Sequence, residues 1–575
     1  MQPHVKQFNV HQISSIQDML LQSNGRYKDK LAMEDLTSYP ISKLSYKELL
    51  EHVLRFGNGL KKLGIEPRTH ISLIGENRVQ WGIAYLTALT FNHIIIPIDK
   101  NLSANEILNI IHESDSEVII FSEAFAAMLK ESKKALKNLK YFISMDMLGE
   151  NEWVYSMPQL IKESLPAHIS ELPTINPEEP AEIIFTSGSL GRAKGVMLSQ
   201  KNLASNLMSM TKMIEITKED RFLSVLPIHH TYECTCGFLC PLYMGSSIHY
   251  ARSLKTVAED MQKAKPTIFL GVPLLYDKLF KRVMKNIQDD KIKSKVVPPL
   301  IKISSLAEKF GWKSLPKKLF KELHERFGGS VRLFIVGGAA PDPKVAKGLR
   351  EFGFNFVQGY GLTETSPILA LNQVNNFKDD AAGIPLSGIE IKINNPTPDG
   401  IGEIVAKGPS VMLGYYKNDA LTKEAFENGW FKTGDLGYFD KDGFLHIAGR
   451  KKNVIIAKDG KNVFPEEIED ILHRSPFVLE VLVMGEKDSK HDEIITAQIV
   501  TDAEAFIEYS NVHNTPITKE LIHEIISKEI ALVNKDLPVY KQIRKFYIRE
   551  KEFEKTTTQK IKRYLVNKDS MIEED

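Results

Sequence analysis

Short apolar runs alternate with longer amphipathic segments along most of the chain, and this alternation is what most restricts its fold. The runs Glu182–Thr186, Thr267–Gly271, Leu333–Val336 and Asn355–Val357 read as buried strands. The expected class is therefore α/β, with a large N-terminal domain of helix-covered β-sheets. Several runs end in what read as glycine-rich turns: Ser187–Gly191, Gly337–Gly338 and Gly359–Gly361. Ligand sites of α/β sheets gather at such strand ends. The chain has 575 residues, and single cores stop growing near about 250–300, so more than one domain is expected. The most apolar long stretch, Gly82–Ile98, is broken by Asn92 and His93 and closed by Pro97 and Asp99. A spanning helix needs about 20 mostly apolar residues, so this stretch reads as core.

From Gly449 the texture changes. Gly449-Arg450-Lys451-Lys452-Asn453 is a short basic joint. The expected division is residues 1–449, a hinge at 450–453 and a small, mobile α+β domain over 454–575. Its strands are predicted at Val454–Ala457, Leu479–Met484, Ile494–Val500 and Ile543–Ile548, and its helices near Pro465–His473 and Lys519–Leu532.

Lys plus Arg total 74 against 73 for Asp plus Glu, which gives no global pull towards nucleic acid. A lysine-rich stretch, Lys278–Arg332, stands out locally. It reads either as a solvated helical insertion or as a patch that touches a membrane surface. Met1–Gln12 has no apolar core and is no secretory signal. Cys234, Cys236 and Cys240 are too few and too close for a disulfide framework, and C-x-C-x₃-C, even with His229 or His230, matches no usual zinc spacing. The expected setting is the cytoplasm, with peripheral contact at the inner membrane surface as the sharper reading of the basic stretch.

Four segments carry chemistry. The run Phe185-Thr186-Ser187-Gly188-Ser189-Leu190-Gly191-Arg192-Ala193-Lys194-Gly195 is a strand entering a loop of glycines, hydroxyls and one lysine. Such a loop brings N–H groups and a charge to phosphate oxygens. It is not a Walker A loop, since no G-K-[ST] triplet follows. Gly337-Gly338-Ala339-Ala340-Pro341 has almost no side chains, so a planar base could lie on its backbone. Gln358-Gly359-Tyr360-Gly361-Leu362-Thr363-Glu364 offers a ring for stacking and a carboxylate for magnesium. Trp430-Phe431-Lys432-Thr433-Gly434-Asp435 ends in an acid suited to two ribose hydroxyls, and Gly449-Arg450 follows.

In this order the segments resemble the core motifs of the adenylate-forming superfamily of acyl-CoA synthetases, luciferases and peptide-synthetase adenylation domains, over residues 40–566. Finer details resemble the long-chain fatty acid–CoA ligase branch: Glu76-Asn77-Arg78 with Trp81, Leu226-Pro227-Ile228-His229-His230 with Glu233, Pro266–Leu279, Gly460–Glu469 and Lys555-Thr556-Thr557-Thr558-Gln559-Lys560-Ile561. The resemblance implies ATP, magnesium and coenzyme A as co-substrate. It places the β- and γ-phosphates on Thr186, Ser187, Gly188, Ser189 and Lys194. Adenine goes to Gly338, Ala339, Ala340, Pro341, Tyr360 and Gly361. Thr363 meets the α-phosphate, Glu364 the metal, and Asp435 with Arg450 the ribose. His230 lies near the carboxylate, Lys560 bridges carboxylate and α-phosphate, and Lys452 is the hinge pivot. The pantetheine thiol would pass Lys458–Lys461. Three positions depart from the family pattern: Leu190 for a hydroxyl residue, Ala193 for proline and Gln559 for glycine. Bland readings stand beside three residues: His230 as a core histidine, Tyr360 as a core aromatic and Lys560 as a solvated lysine.

The expected activity is a fatty acid–CoA ligase that forms an acyl-adenylate and then a thioester. The alternatives are an acyl–acyl-carrier-protein synthetase, a fatty acyl-AMP ligase, a luciferase-type oxidoreductase and a binding protein that kept the fold.

Overall fold

The computed structural model describes every residue except 1–4, 38, 40–41, 147–152, 188–192, 311, 313, 459, 489–492, 556–560 and 567–575; the side chains of 187, 307–309 and 564 are also outside the description. The chain divides into two compact units. The first comprises Met1–Ile391, Ala406–Phe431 and Lys441–Leu445; the second comprises Lys392–Val405, Lys432–Asp440 and His446–Asp575.

The first unit is organised around the helix Val79–Thr90. Apart from Gln80, its residues are apolar or small all round, and every one of the 12 is buried. A helix with no polar face must be covered on all sides. Here the strands His70–Ile74 and Ile94–Ile98 lie on it from one sheet and Leu31–Asp35 from another. Trp81 stacks on Tyr85 at 5.2 Å, and Phe238 meets both rings edge-on. The predicted core stretch is thus this helix and the strand that follows it.

The larger sheet has nine strands, in the order Ile384–Pro385, Ile368–Leu371, Asn355–Gly361, Leu333–Val336, Ile268–Gly271, Arg221–Ser224, Ser247–Tyr250, Leu31–Asp35 and Lys43–Ser45. Its central pairs are parallel, with Leu333 opposite both Ile268 and Asn355. Their carboxyl ends therefore share one edge, where Gly337, Tyr360 and the segment after Ser224 emerge. The eight-stranded sheet carries the antiparallel hairpin Pro180–Ser187 and Ala193–Ser199, which sets Thr186 opposite Lys194.

One expected turn is a strand. Residues 359–361 continue the strand Asn355–Gly361 and pair antiparallel with Ile368–Leu371. The glycine there serves close approach: a Cβ on Gly361 would sit 1.9 Å from the Pro367 carbonyl oxygen. Gly338 does mark a turn, with φ +88°.

The second unit has a sheet of Val478–Lys487, Glu493–Thr501 and Ile543–Arg549, covered by the helices Pro465–Leu472, Ala503–His513 and Lys519–Asp536. Ala503–His513 has no counterpart in the sequence reading, because it buries only Phe506 and so shows no apolar period. No helix among the described residues is long and apolar enough to cross a membrane.

Arg78, just before the central helix, is 1 % exposed. Its guanidinium donates to Asp146 Oδ1 at 2.8 Å and to Gln80 Oε1 at 2.9 Å. Asp35 instead caps the helix, accepting from the Val79 N–H at 3.2 Å. Removing one partner of such a pair costs about 3–5 kcal/mol because the other charge stays buried. Asp146→Ala should therefore lower the first melting transition more than Arg78→Met combined with Asp146→Leu does. A double variant that melts no higher than Asp146→Ala would show that the pair is not what holds this helix end.

Candidate active site

In the first unit, the hairpin places Lys194 at the start of the strand Ala193–Ser199. The strand Gly414–Tyr415 pairs with it, Tyr415 opposite Val196. A backbone bond from Met412 N–H to the Glu364 carbonyl, 2.9 Å, ties that segment to the short turn Thr363–Thr365. Three side chains meet as a result. Lys194 Nζ donates to Glu364 Oε1 at 3.0 Å and to Tyr415 Oη at 2.9 Å, and Tyr415 Oη donates to the same Oε1 at 2.9 Å. The ammonium also lies 4.4 Å from the Tyr415 ring centre. Burial by itself would push the Glu364 carboxyl up. The Lys194 ammonium, with hydrogen bonds from the backbone, Lys194 and Tyr415, outweighs burial and holds it below its ordinary value.

Beside this knot, Thr186 Oγ1 is buried and meets no hydrogen-bond partner among the described residues. A buried hydroxyl without a partner is a cost that a ligand oxygen would relieve. Ser187 ends the strand, its side chain outside the description; Gly188 and Ser189 lie outside the described residues. So do Leu190, Gln559 and Lys560. Tyr360 and Thr363 are half-buried, Gly338, Ala339, Ala340 and Gly361 are exposed, and Pro341 is buried. All belong to the first unit.

The second unit holds another pair. Arg450 Nε donates to Asp435 Oδ1 at 2.8 Å, from the strands Leu445–Arg450 and Trp430–Phe439. Thr433 fixes the acid: its hydroxyl accepts from the Asp435 N–H at 3.1 Å and donates to the Ile404 carbonyl at 2.8 Å. Arg450 also donates to the Thr433 carbonyl at 3.3 Å. Lys452 is exposed in the short turn Lys451–Asn453.

His230 sits on the loop that leaves the strand Arg221–Ser224, where its Nδ1 accepts from the Tyr232 N–H at 3.2 Å. The loop is held from below. Asn77 Nδ2 donates to the Ser224 hydroxyl at 2.9 Å and to the Leu226 carbonyl at 2.6 Å, while its Oδ1 accepts from the Ile228 N–H at 3.1 Å. Ser224 in turn donates to Glu233 at 2.5 Å. The chain then forms the π-helix Tyr232–Leu239, all eight residues buried. Cys234 and Cys236 in this segment, and Cys240 just after it, are buried free thiols, and burial pushes all three thiols up. No group of three or more metal-ligating side chains occurs among the described residues.

Behind Gly337 and Gly359 lies an apolar cavity of about 30 Å³, walled by Met210, Ile216, Tyr232, Cys236, Cys240 and Leu371. That is room for only a few water-sized groups. Its wall also includes Ile335 and Val336, at the end of the strand that precedes Gly338.

Two parts of this arrangement escaped the sequence reading. Tyr415 stands in an unremarkable Gly-Tyr-Tyr run, 221 residues from Lys194, and only strand pairing brings it in. The bonds from Asn77 through Ser224 to Glu233 join residues 147 and 9 positions apart, which no local pattern links.

The family model for the AMP-binding enzyme matches residues 20–416, and that for the AMP-binding enzyme C-terminal domain matches residues 452–571. A long-chain-fatty-acid–CoA ligase of Mycobacterium bovis is 28% identical, covering 88% of each chain. A chloroplastic long-chain-fatty-acid–[acyl-carrier-protein] ligase of Arabidopsis thaliana is also 28% identical, covering 84% of this chain and 76% of its own. Among solved structures, the anthranilate CoA ligase with anthranoyl-AMP has a TM-score of 0.77 at 20% identity, with 97% of each chain covered. The o-succinylbenzoate coenzyme A synthetase of Bacillus subtilis, with ATP and a magnesium ion, has 0.73 at 22%, covering 95% of this chain and 98% of its own.

Burial pushes the Glu233 carboxyl up to about 8, the Ser224 bond offsetting this only in part. In the unfolded chain a Glu ionises near about 4.3. The folded state thus keeps a proton that the unfolded chain gives up, and this contribution to stability is lost as pH rises towards about 8. Glu233→Gln cannot ionise. Its melting temperature relative to the parent should climb between about pH 5 and pH 8. A difference that stays flat over that interval would mean Glu233 does not titrate there.

Proposed function

The chain belongs to the AMP-binding enzymes, and from that premise we propose that it is an ATP- and magnesium-dependent fatty acid–CoA ligase. The observation that carries this reading is the Lys194–Glu364–Tyr415 knot beside the unpartnered Thr186 hydroxyl. It has the parts that a nucleotide triphosphate needs: an ammonium, a hydroxyl donor and an ionised carboxylate. The acyl substrate and the thiol acceptor follow the relatives named for long-chain fatty acids and coenzyme A.

Glu364 suits a magnesium ion, being a hard oxygen donor held in its charged form. Bound there with ATP, magnesium supplies positive charge at the phosphates. In that state Lys194 turns from Glu364 to the β- and γ-phosphates, joined by Thr186 and the loop Ser187–Ser189. Adenine lies on Gly338–Pro341 against Tyr360 and Gly361, and the ribose on Asp435 and Arg450. Attack of a carboxylate on the α-phosphate sets anion against anion, so the site must supply positive charge where the transition state gathers negative charge. Lys560 and the loop donors meet that need beside a metal held on Glu364, and the Thr363 hydroxyl touches the α-phosphate. Pyrophosphate leaves, and the acyl-adenylate is then attacked by the thiol of coenzyme A, with AMP as the leaving group. A hinge at 450–453, pivoting on Lys452, lets the small domain present Lys560 for the first step and withdraw it for the second.

The acyl chain enters the apolar cavity past His230. At about 30 Å³ the cavity must widen as the chain threads in. A buried methylene is worth about 0.8 kcal/mol, so efficiency should rise with chain length. The test is coenzyme-A-dependent pyrophosphate release from acids between acetate and oleate. Medium and long fatty acids should lead, and Met210→Trp should move the optimum to shorter acids. A flat profile, or a preference for acetate or an aryl acid, would refute the fatty acid reading. The second reading, transfer to acyl carrier protein, is favoured by the Arabidopsis relative. Competition between free coenzyme A and the holo carrier decides between them.

The half-reactions separate in two variants. Lys560→Ala should abolish pyrophosphate release from acid and ATP while sparing thioester formation from purified acyl-adenylate. Lys452→Pro should do the reverse, because proline fixes φ near about −65° and the joint cannot turn. If both folded variants lose both half-reactions equally, the two-pose mechanism is wrong.

A further inference from the structure

Among its described residues the basic stretch folds as four helices, Pro273–Asp289, Lys293–Lys309, Ser314–Leu319 and Lys321–Arg326. The helix Lys293–Lys309 is apolar on two sides. Its inner side packs Val297, Leu300 and Ile301 onto the core, and the buried Ser304 hydroxyl donates to the Glu351 carbonyl. Its outer side shows Val296, Ile303 and Leu306 to solvent, continued by Ile292 before the helix and Phe310 after it. These positions are four, seven, three and four apart, so they form one stripe. Phe310 and Trp312 face each other at 6.4 Å and are 73% and 64% exposed. Isolated exposed apolar residues are ordinary, but a contiguous stripe of them marks a surface that something covers.

The charge around the stripe says what covers it. Residues 278–332 hold fifteen Lys or Arg and five Asp or Glu, in a chain whose net charge is only +1. Lys291, Lys295 and Lys302 are exposed beside the stripe. Of the few acids, Glu322 already bridges Lys293 and Arg326, and Glu325 bridges Lys321. A second copy of this chain would set like charge against like. We propose that the outer face of the helix Lys293–Lys309, with Phe310 and Trp312, docks onto a bilayer rich in anionic lipid headgroups. The apolar stripe enters the boundary between headgroups and acyl chains, and the lysines pair with headgroup phosphates. The proposal rests on this surface alone and stands whatever acid the enzyme activates.

The test is cosedimentation of the full chain with phosphatidylcholine vesicles, with and without phosphatidylglycerol. The protein should pellet with the anionic vesicles and return to the supernatant as salt rises towards about 1 M, where the Debye length is about 3 Å. Ile303→Asp with Leu306→Asp, and separately Lys291→Glu with Lys295→Glu and Lys302→Glu, should each weaken partitioning at least about tenfold. Pyrophosphate release from a water-soluble acid checks that each variant is folded. Trp312 gives a second readout that needs no destabilising change: the emission blue shift on anionic vesicles should vanish in Trp312→Phe. The proposal is overturned if the parent protein stays in the supernatant with anionic vesicles. It is equally overturned if both sets of folded variants pellet as the parent does, or if the shift survives in Trp312→Phe. Self-association lost in the Ile303/Leu306 variant, without vesicle binding by the parent, would make the face an interface between copies.

Discussion

A helix with no solvent face is the constraint on which the first unit depends. Val79–Thr90 has to be covered from every side, and two sheets lying against it are what cover it. Once they close over the helix, their strand ends are no longer independent. The hairpin that presents Thr186 and Lys194 belongs to one sheet, and the strands that end at Val336 and Gly361 belong to the other. The apolar packing therefore fixes where the polar chemistry is. Asp35 and Arg78 show what closing the sheets demands of polar groups at the helix end: one caps it, and the other is paired deep in the interior.

The second constraint is electrostatic. An acid and a nucleotide are both anions, and the enzyme has to bring them together without leaving unpaired charge inside itself. Glu364 is buried yet ionised, which is tolerable only because Lys194 and Tyr415 sit on it. Glu233 and Glu182 take the other course: burial raises both to about 8, so they stay protonated near neutrality and act as hydrogen-bonding parts of the core. Carboxyls with the same chemistry thus have opposite roles, set by whether a cation stands beside them.

Much of this was legible in the sequence. The strands at 182–186, 267–271 and 333–336 announced themselves by their apolar centres, 183–185, 268–270 and 333–336, as strands buried on both faces do. Lys194, Glu364, Asp435 and Arg450 stood out by residue type within glycine-rich segments, and the fold pairs Lys194 with Glu364 and Asp435 with Arg450. What stayed hidden was long-range or locally silent. Residues 359–361 looked like a turn because glycines signal turns, whereas here they let two strands run close enough that no side chain fits. Tyr415 has no motif, only a pairing register. The helix Ala503–His513 buries too little to leave a periodic trace.

The Lys194–Glu364 contact also has a consequence for how a nucleotide enters. The resting site is already salt-balanced: its ammonium is committed to its own carboxylate. A phosphate that recruits Lys194 strands Glu364 inside the protein, and a cation that takes Glu364 releases Lys194. Neither partner gains much alone, and each creates the vacancy that the other fills. On the proposed assignment, loading would be an ion exchange, in which the Lys194–Glu364 pair is traded for a metal–carboxylate and an ammonium–phosphate pair at once. By that exchange, a metal and a phosphate arriving together would each find a partner inside the site, which neither would find alone.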